Sequence, residues 1–267
     1  MKIIDSHNHI HFREFQRDRK DVMERAAEGG VIGMLAVGID PKDCRKALDH
    51  AQHHKGVFVS VGIHPQNALR YGPEDAGRLA DLCRDESVVA IGETGFDLYR
   101  TPGSEVAQRA LFIAHIDLAR QVGLPLVIHD RSAHEQTLRV LDDARAWSVG
   151  GVFHCFSGDA AMAQEVTGKG FFISIPGVVT FRNAAVLKEV VGSTPLEWLL
   201  VETDAPYLTP EPFRGRRNEP IHVAKTVEEI ARIKDVSPEE VAGRTTENFK
   251  RLFLARVSQD RKDELGV

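Results

Sequence analysis

The sequence predicts an α/β fold, a (β/α)8 barrel of the TIM type formed as a single domain over residues 1–267. Three observations carry that prediction. The length of 267 residues is close to the roughly 250 that such a barrel typically takes. Short apolar runs alternate along the chain with longer amphipathic stretches. The apolar runs are nearly continuous, as parallel strands covered on both faces require. A doubly wound open sheet shares this alternation and is the competing architecture.

In chain order the expected strands are Lys2–Ser6, Ile32–Ile39, Val57–Gly62, Val88–Gly92, Leu124–His129, Gly151–His154, Phe171–Ile175 and Trp198–Glu202. Each precedes a segment able to form a helix. The clearest helix is Ser104–Val122, where Leu111, Ala114, Leu118 and Val122 lie on one stripe. Ser104 is expected to cap its start and Gly123 to close its end. Near the C-terminus, Ser237-Pro238-Glu239-Glu240 reads as an N-cap followed by Pro and acids in a first turn. The following helix carries Val241, Phe249, Leu252 and Phe253. No repeat or long linker divides the chain, and the loop Thr209–Pro220 is its most irregular segment.

Composition narrows the function classes. At 42% hydrophobic and 27% charged residues the chain can bury a sizeable core, which argues against disorder. Its net charge of -5 gives no global attraction to a polyanion, so a nucleic-acid substrate would need a local basic patch. Cys44, Cys83 and Cys155 are isolated, which predicts reduced thiols and a cytoplasmic location. Met1-Lys2-Ile3-Ile4 enters a strand-like run with no signal-peptide pattern, and no apolar run approaches the roughly 18 residues of a membrane span. No obligate protein partner is evident.

Barrel enzymes place reactive groups at the C-terminal ends of their strands. The first strand leads to His7 and His9, the third to His64, the fourth to Glu93, the fifth to His129, the sixth to His154 and the eighth to Asp204. His7 and His9, at i and i+2, point to one side of an extended strand and make half of a divalent-cation site. Alone, such a pair is more often two solvated histidines. Glu93 ends the apolar run Val88-Val89-Ala90-Ile91-Gly92, where a carboxylate is costly unless paired or metal-bound, and it could bridge two cations. Asp204 could ligate one metal and take a proton from the attacking water, with Glu93 as the second catalytic carboxylate. A structural salt bridge is the bland alternative for Asp204, as a hydrogen-bonded core role is for His129 or His154 alone. Imidazoles with carboxylates suit zinc, manganese, nickel or iron, and magnesium less well. Cys155 is expected to alternate away from the barrel interior as a packing residue. Two such ions support hydrolysis of a phosphoester, amide or carboxyl ester.

Arg131, beside a ligand candidate, could hold a phosphate oxygen. Arg214, Arg216 and Arg217 form a basic cluster that could grip a polyanion, or simply pair with Glu211 and Glu219 in a solvated loop. Phe181 and Tyr207 could stack a base, or pack at the rim. His11, His50, His53, His54, His115, His134 and His222 lack the strand-end placement and are expected mostly at the surface.

Several segments together resemble the TatD family of metal-dependent deoxyribonucleases. They are Asp5-Ser6-His7-Asn8-His9, Gly62-Ile63-His64-Pro65, Gly92-Glu93-Thr94-Gly95-Phe96-Asp97, Ile128-His129-Asp130-Arg131, Phe153-His154-Cys155-Phe156-Ser157-Gly158 and Glu202-Thr203-Asp204-Ala205-Pro206-Tyr207-Leu208. Ile175-Pro176-Gly177-Val178-Val179-Thr180-Phe181 and Arg214-Gly215-Arg216-Arg217-Asn218-Glu219-Pro220 extend the likeness, which runs from Met1 to about Phe253. The resemblance implies a TIM barrel of the amidohydrolase type. It implies two or three divalent ions, magnesium, manganese or zinc, at His7, His9, Glu93, His129, His154 and Asp204. It places His64 at the same site, linked to a further metal or to phosphate. The implied activity is 3′-5′ exonuclease-like hydrolysis of single-stranded DNA. The chain departs from the family in Phe96-Asp97-Leu98, where Leu-Asp-Tyr is common, and in Asp130 and Ser132 around Arg131. These changes flank the ligand positions and bear on substrate preference. Two alternatives share the barrel: a hydrolase of a small ester, lactone or amide, and a non-catalytic protein that keeps a metal site. The complete ligand set argues against the latter.

Overall fold

Strand β1 (Ile3–Asn8) starts a sheet that continues in sequence order through β2 (Val31–Val37), β3 (Val57–Val61), β4 (Val88–Asp97), β5 (Leu126–Arg131), β6 (Gly151–Phe153), β7 (Phe172–Ile175) and β8 (Leu199–Val201). Every adjacent pair is parallel. This is the arrangement in a computed structural model, which describes residues 1–263 and Leu265. The last strand returns to the first: the amide of Asp204 donates to His7 O at 2.9 Å and that of His9 to Ala205 O at 2.8 Å. An ordered sheet whose ends meet in this way is the (β/α)8 barrel, so the open-sheet alternative falls.

The helices follow the strands: α1 (Arg19–Glu28), α2 (Pro41–His53), the short α3 (Pro73–Gly77), α4 (Glu105–Val122), α5 (His134–Asp143), α6 (Ala160–Gly168), α7 (Ala185–Ser193), α8 (Val223–Lys234), α9 (Pro238–Phe253) and α10 (Gln259–Asp263). Local chemistry sets their ends. Asp40 caps α2 by accepting from Lys42 N and Asp43 N, and Ser237 caps α9 by accepting from Glu240 N. Gly123 closes α4 at φ 63°, a left-handed conformation that glycine adopts without a Cβ penalty. The expected cap at Ser104 is a different device. Its hydroxyl donates to Thr101 O and accepts from Gln108 Nε2, so it ties the loop before α4 rather than a first-turn amide.

Alternation along the strands makes two cores. Ile4, Leu35, Phe58, Val89, Val127, Val152, Phe172 and Leu200, contributed strand by strand, fill the barrel together with Phe249 and Phe253 of α9. Their neighbours, among them Ile3, Ala36, Val59, Ile128 and Ile173, join the layer beneath the helices. Above the interior apolar layer lies a buried polar one. Ser6 Oγ sits 2.9 Å from Ser174 Oγ, and Ser60 Oγ donates to Gly92 O at 2.8 Å. Small hydroxyls here leave room overhead for larger polar side chains.

Three histidines expected at the surface are buried: His11, His50 and His115. The reason is that each ring engages neighbours the sequence does not reveal. His115 shares the α4 stripe with Leu111 and Leu118, and both of its nitrogens are satisfied. Nδ1 donates to Leu111 O at 2.8 Å and Nε2 accepts from Ile63 N at 3.0 Å. His11 pairs with Asp43 at 2.9 Å, and the His50 ring lies 4.0 Å from that of His54, just past the end of α2.

Candidate metal centre

The donors reach one mouth of the barrel because two strands are bulged. In β1 the register with β2 slips between Asp5 and Asn8, and in β4 the register with β5 slips between Gly92 and Thr94. An extra residue in a strand re-aims the side chain beside it. Ser6 and His7 lie inside the first slip and Glu93 inside the second. Behind Glu93, β3 and β4 approach so closely that a Cβ on Gly62 would lie 2.3 Å from the carbonyl carbon of Gly92. His129 and His154 need no bulge. Each stands two residues after an interior apolar residue, Val127 and Val152, and so faces inward. Asp204 sits at φ 54° just past β8.

Glu93 is the hub. Its Oε1 lies 2.6 Å from His129 Nδ1, 2.8 Å from His154 Nε2 and 3.3 Å from His64 Nε2. Its Oε2 lies 3.4 Å from His7 Nε2. Asp204 Oδ1 lies 3.5 Å from His9 Nε2 and 3.8 Å from His7 Nε2. The rings of His7 and His154 stack at 3.9 Å. Donor atoms gather into three groups, each within 4.8 Å: His7, His9 and Asp204; His7, His154 and Glu202; His64, Glu93 and His129.

Burial opposes ionisation of Glu93, yet the charges of His154 and His64 and the hydrogen bonds from His129 and His154 hold it well below the usual carboxylate range. Burial likewise works against Asp204, and its hydrogen bond with His9 and the charge of His7 outweigh it, so Asp204 is also held low. His7 is pushed down by burial and by His154. Burial also works against charge on His9, His129 and His154, yet the carboxylates around them raise all three, so a cation at these nitrogens would take the place of their protons. Anionic carboxylates set among imidazoles in this way are a cation-binding set.

Orphaned atoms test that reading. Both ring nitrogens of His7, Nε2 of His129, Nδ1 of His154 and both oxygens of Glu202 are buried without a hydrogen-bond partner among the described residues. Buried polar groups rarely stay unpaired, and a divalent ion would satisfy lone pairs of this kind. The residues present therefore fit a metal. At His9, Nδ1 lies 2.7 Å from Val37 O and must be protonated, which frees Nε2 as a donor atom. At His64, Nδ1 accepts from Gln66 N at 3.1 Å, so Nε2 carries the proton and points it at Glu93. His64 in this state is a hydrogen-bond donor to an anion rather than a ligand.

His9, His64, Glu93, His129, His154 and Asp204 line the floor of a cavity of about 910 Å³. Arg131 stands on its edge, with the guanidinium 4.6 Å from the centre of the Tyr99 ring. The loop arginines behave otherwise. Arg217 pairs with Asp18 at 2.6 Å and Glu219 at 3.0 Å, and Arg214 faces Glu211 at 3.7 Å while covering the Phe181 ring at 4.1 Å. Tyr207 lines the cavity half exposed, edge-on to His9 at 6.3 Å. Cys155 departs from expectation. Strand β6 stops at Phe153, Cys155 adopts φ 46°, and the residue lines the cavity instead of alternating away.

Sequence reasoning passed over two buried carboxylates. Glu202 lies beneath the donors with Oε1 3.5 Å from His154 Nδ1. It stands two residues before Asp204, the same spacing that marks His7 and His9. Asp97, at the end of β4, faces His129 Nε2 at 3.4 Å and accepts from Gln66 Nε2 at 2.7 Å and Arg100 N at 2.7 Å. Burial resists its ionisation, and the His129 ring beside it together with the bonds from Gln66 and Arg100 prevails, keeping its carboxyl far down.

The family model described as TatD related DNase matches residues 4–254. An uncharacterized metal-dependent hydrolase, YabD of Bacillus subtilis, is 40% identical over 251 residues, covering 94% of this chain and 98% of that one. A protein named 3′-5′ ssDNA/RNA exonuclease TatD, from Klebsiella pneumoniae, is 34% identical over 245 residues, covering 90% and 93%. Among solved structures, the TatD homologue YJJV of Escherichia coli superimposes with a TM-score of 0.89 at 27% identity, covering 95% and 98%. With the model spanning nearly the whole chain and the relatives aligned end to end, this chain belongs to the TatD-related DNase family of metal-dependent hydrolases.

Proposed function

We propose that the protein is a nuclease that hydrolyses phosphodiester bonds in single-stranded DNA, trimming it in a 3′-5′ exonuclease-like manner. The observation that carries this reading is the set of donors around Glu93 at the floor of an open cavity whose edge bears Arg131. The Klebsiella relative, named as an exonuclease, supports the substrate class. His7, His9, Glu93, His129, His154 and Asp204 hold two or three divalent ions, magnesium, manganese or zinc. When bound, such ions supply Lewis acidity to a phosphodiester and make water acidic enough to attack near neutral pH. Asp204 accepts the proton of the attacking water, because its carboxylate stays ionised and faces the cavity beside His9. Glu93 spans the two halves of the donor set through its separate oxygens. His64 redirects its Nε2 proton from Glu93 to a phosphate oxygen when substrate binds, and Arg131 and Arg214 bind the strand's charge. Unpaired thiols support a reducing, cytoplasmic setting. Among the described residues no helix is long and apolar enough to cross a membrane.

The deciding experiment combines metal analysis of the purified protein with degradation of 3′-end-labelled single-stranded DNA in magnesium, manganese and zinc. Progressive loss of the label is expected. Intact DNA in every metal would reject the nuclease reading. A small-ester or lactone hydrolase remains the second reading, and one feature favours it: Phe156, Val178, Ala184 and Val186 give the cavity an apolar wall. A panel of lactones and carboxyl esters assayed beside the DNA separates the two.

A further inference from the structure

We propose that Tyr99, Arg100 and Arg131 form a nucleotide subsite beside the donor cluster: the Tyr99 ring and the Arg131 guanidinium stack a base of the single strand, and Arg100 binds its phosphate. This rests on the nuclease reading and specifies where the strand is held.

Tyr99 is 63% exposed, although it stands only two residues past a fully buried strand end at Asp97. Its exposure is not looseness. Asp97 is the ladder partner of Arg131, the amide of Leu98 donates to Arg131 O at 3.1 Å, and Thr101 bonds back to Asp97 O through both its amide and its hydroxyl. A large aromatic ring is thus held in solvent by a fixed backbone, where burial would have removed its apolar surface from water. Its hydroxyl has no hydrogen-bond partner among the described residues. The Arg131 guanidinium lies 4.6 Å from the ring centre and that of Arg100 5.8 Å. Both arginines line the cavity that contains Glu93, His129 and Asp204.

Charge distinguishes these two arginines from the paired ones. Arg25, Arg214 and Arg217 each face a carboxylate, at 2.9, 3.7 and 2.6 Å. The guanidinium groups of Arg100 and Arg131 face none among the described residues, in a chain whose acids outnumber its bases 39 to 34. Uncompensated cations beside a planar ring match a nucleotide, which offers an anion and a π-face together. A guanidinium lying over an aromatic ring is itself a stacking surface for a base. A small neutral ester would use neither feature. Phe181 with Arg214 is the weaker counterpart, because Phe181 packs partly against the core and Arg214 already faces Glu211.

The test uses the full chain as wild type, Tyr99→Ala and Tyr99→Trp. Binding of a fluorescein-labelled oligothymidylate is read by anisotropy with metals removed by EDTA. With metal restored, kcat/KM for the same oligonucleotide is divided by kcat/KM for bis(p-nitrophenyl) phosphate. Tyr99→Ala is expected to weaken binding and lower that ratio by about tenfold, mainly through KM. Tyr99→Trp is expected to keep both near wild type, because an indole stacks as well. Unchanged binding and an unchanged ratio in Tyr99→Ala, with a wild type that degrades the oligonucleotide, would overturn the subsite and leave the nuclease reading standing. A wild type that hydrolyses small esters but neither binds nor cuts the oligonucleotide would overturn both.

Discussion

Asp204 and Asp97 are both carboxylates at strand exits, yet their surroundings assign them different work. Asp204 faces the cavity, with its oxygen 3.5 Å from His9 and its side chain 15% exposed. Asp97 is buried at the cavity's edge, with its carboxylate 3.4 Å from His129 Nε2 and bonded to Gln66. On the proposed mechanism, Asp204→Asn would keep an oxygen ligand and remove the proton acceptor. It should retain its metal by elemental analysis and lose about 10²–10⁴-fold in kcat, the usual scale of general-base catalysis. Unaltered turnover in the metal-loaded variant would remove Asp204 from that role. Asp97→Asn should act differently, through the orientation of His129. If His129 ligates metal as proposed, loss of the carboxylate behind it should weaken metal affinity by about 10–100-fold. Chelator competition would detect this, and restoring activity at high metal concentration would distinguish it from loss of the base.

At the scale of elements, the strands were legible because each is a continuous apolar run. Val57–Val61 is the example: its residues are buried on both faces, so no alternation is needed to recognise it. The donor positions were legible for a related reason, since a polar residue ending such a run has few places to go. The bulges at His7 and Glu93 were hidden, because a slip in register depends on the partner strand and leaves no local mark. The same ignorance ended β4 at Gly92 in the sequence reading, although the strand continues to Asp97. Glu202 escaped notice because its inward direction depends on where β8 stops. The close contact of β3 with β4 is likewise a tertiary fact, and it can be tested. Gly62→Ala would set a methyl 2.3 Å from the Gly92 backbone, directly behind Glu93. Overpacking of this kind costs about 1–3 kcal/mol. A lower Tm is therefore expected, together with weaker metal binding as Glu93 is displaced. A variant matching wild type in both would mean that the strands yield without moving the site.

For the whole molecule, metal and proton both act on stability. Bound ions should stabilise the fold by mass action, by about 2.7 kcal/mol at a free concentration a hundred times Kd. EDTA should therefore lower the Tm by several degrees, on the scale of about 2–4 °C per kcal/mol for a chain of this size. A metal-independent acid response lies on the far side of β3, at His115. Burial pushes its pKa down to about 4, only partly offset by the hydrogen bond to Leu111. In the unfolded chain an imidazole titrates near 6.5. Between these values the unfolded state takes up a proton that the folded state refuses, so stability is full above about pH 6.5 and declines as pH falls toward 4. The span of the shift corresponds to roughly 3 kcal/mol. His50, lowered to about 3 by burial and by His54, adds to the same decline. Urea unfolding of the EDTA-treated protein across this window should give a steep loss of stability for wild type. His115→Leu should be less stable at pH 7, because Ile63 N loses its acceptor, yet shallower in its pH dependence. Parallel pH profiles for the two proteins would mean that His115 does not carry the acid sensitivity.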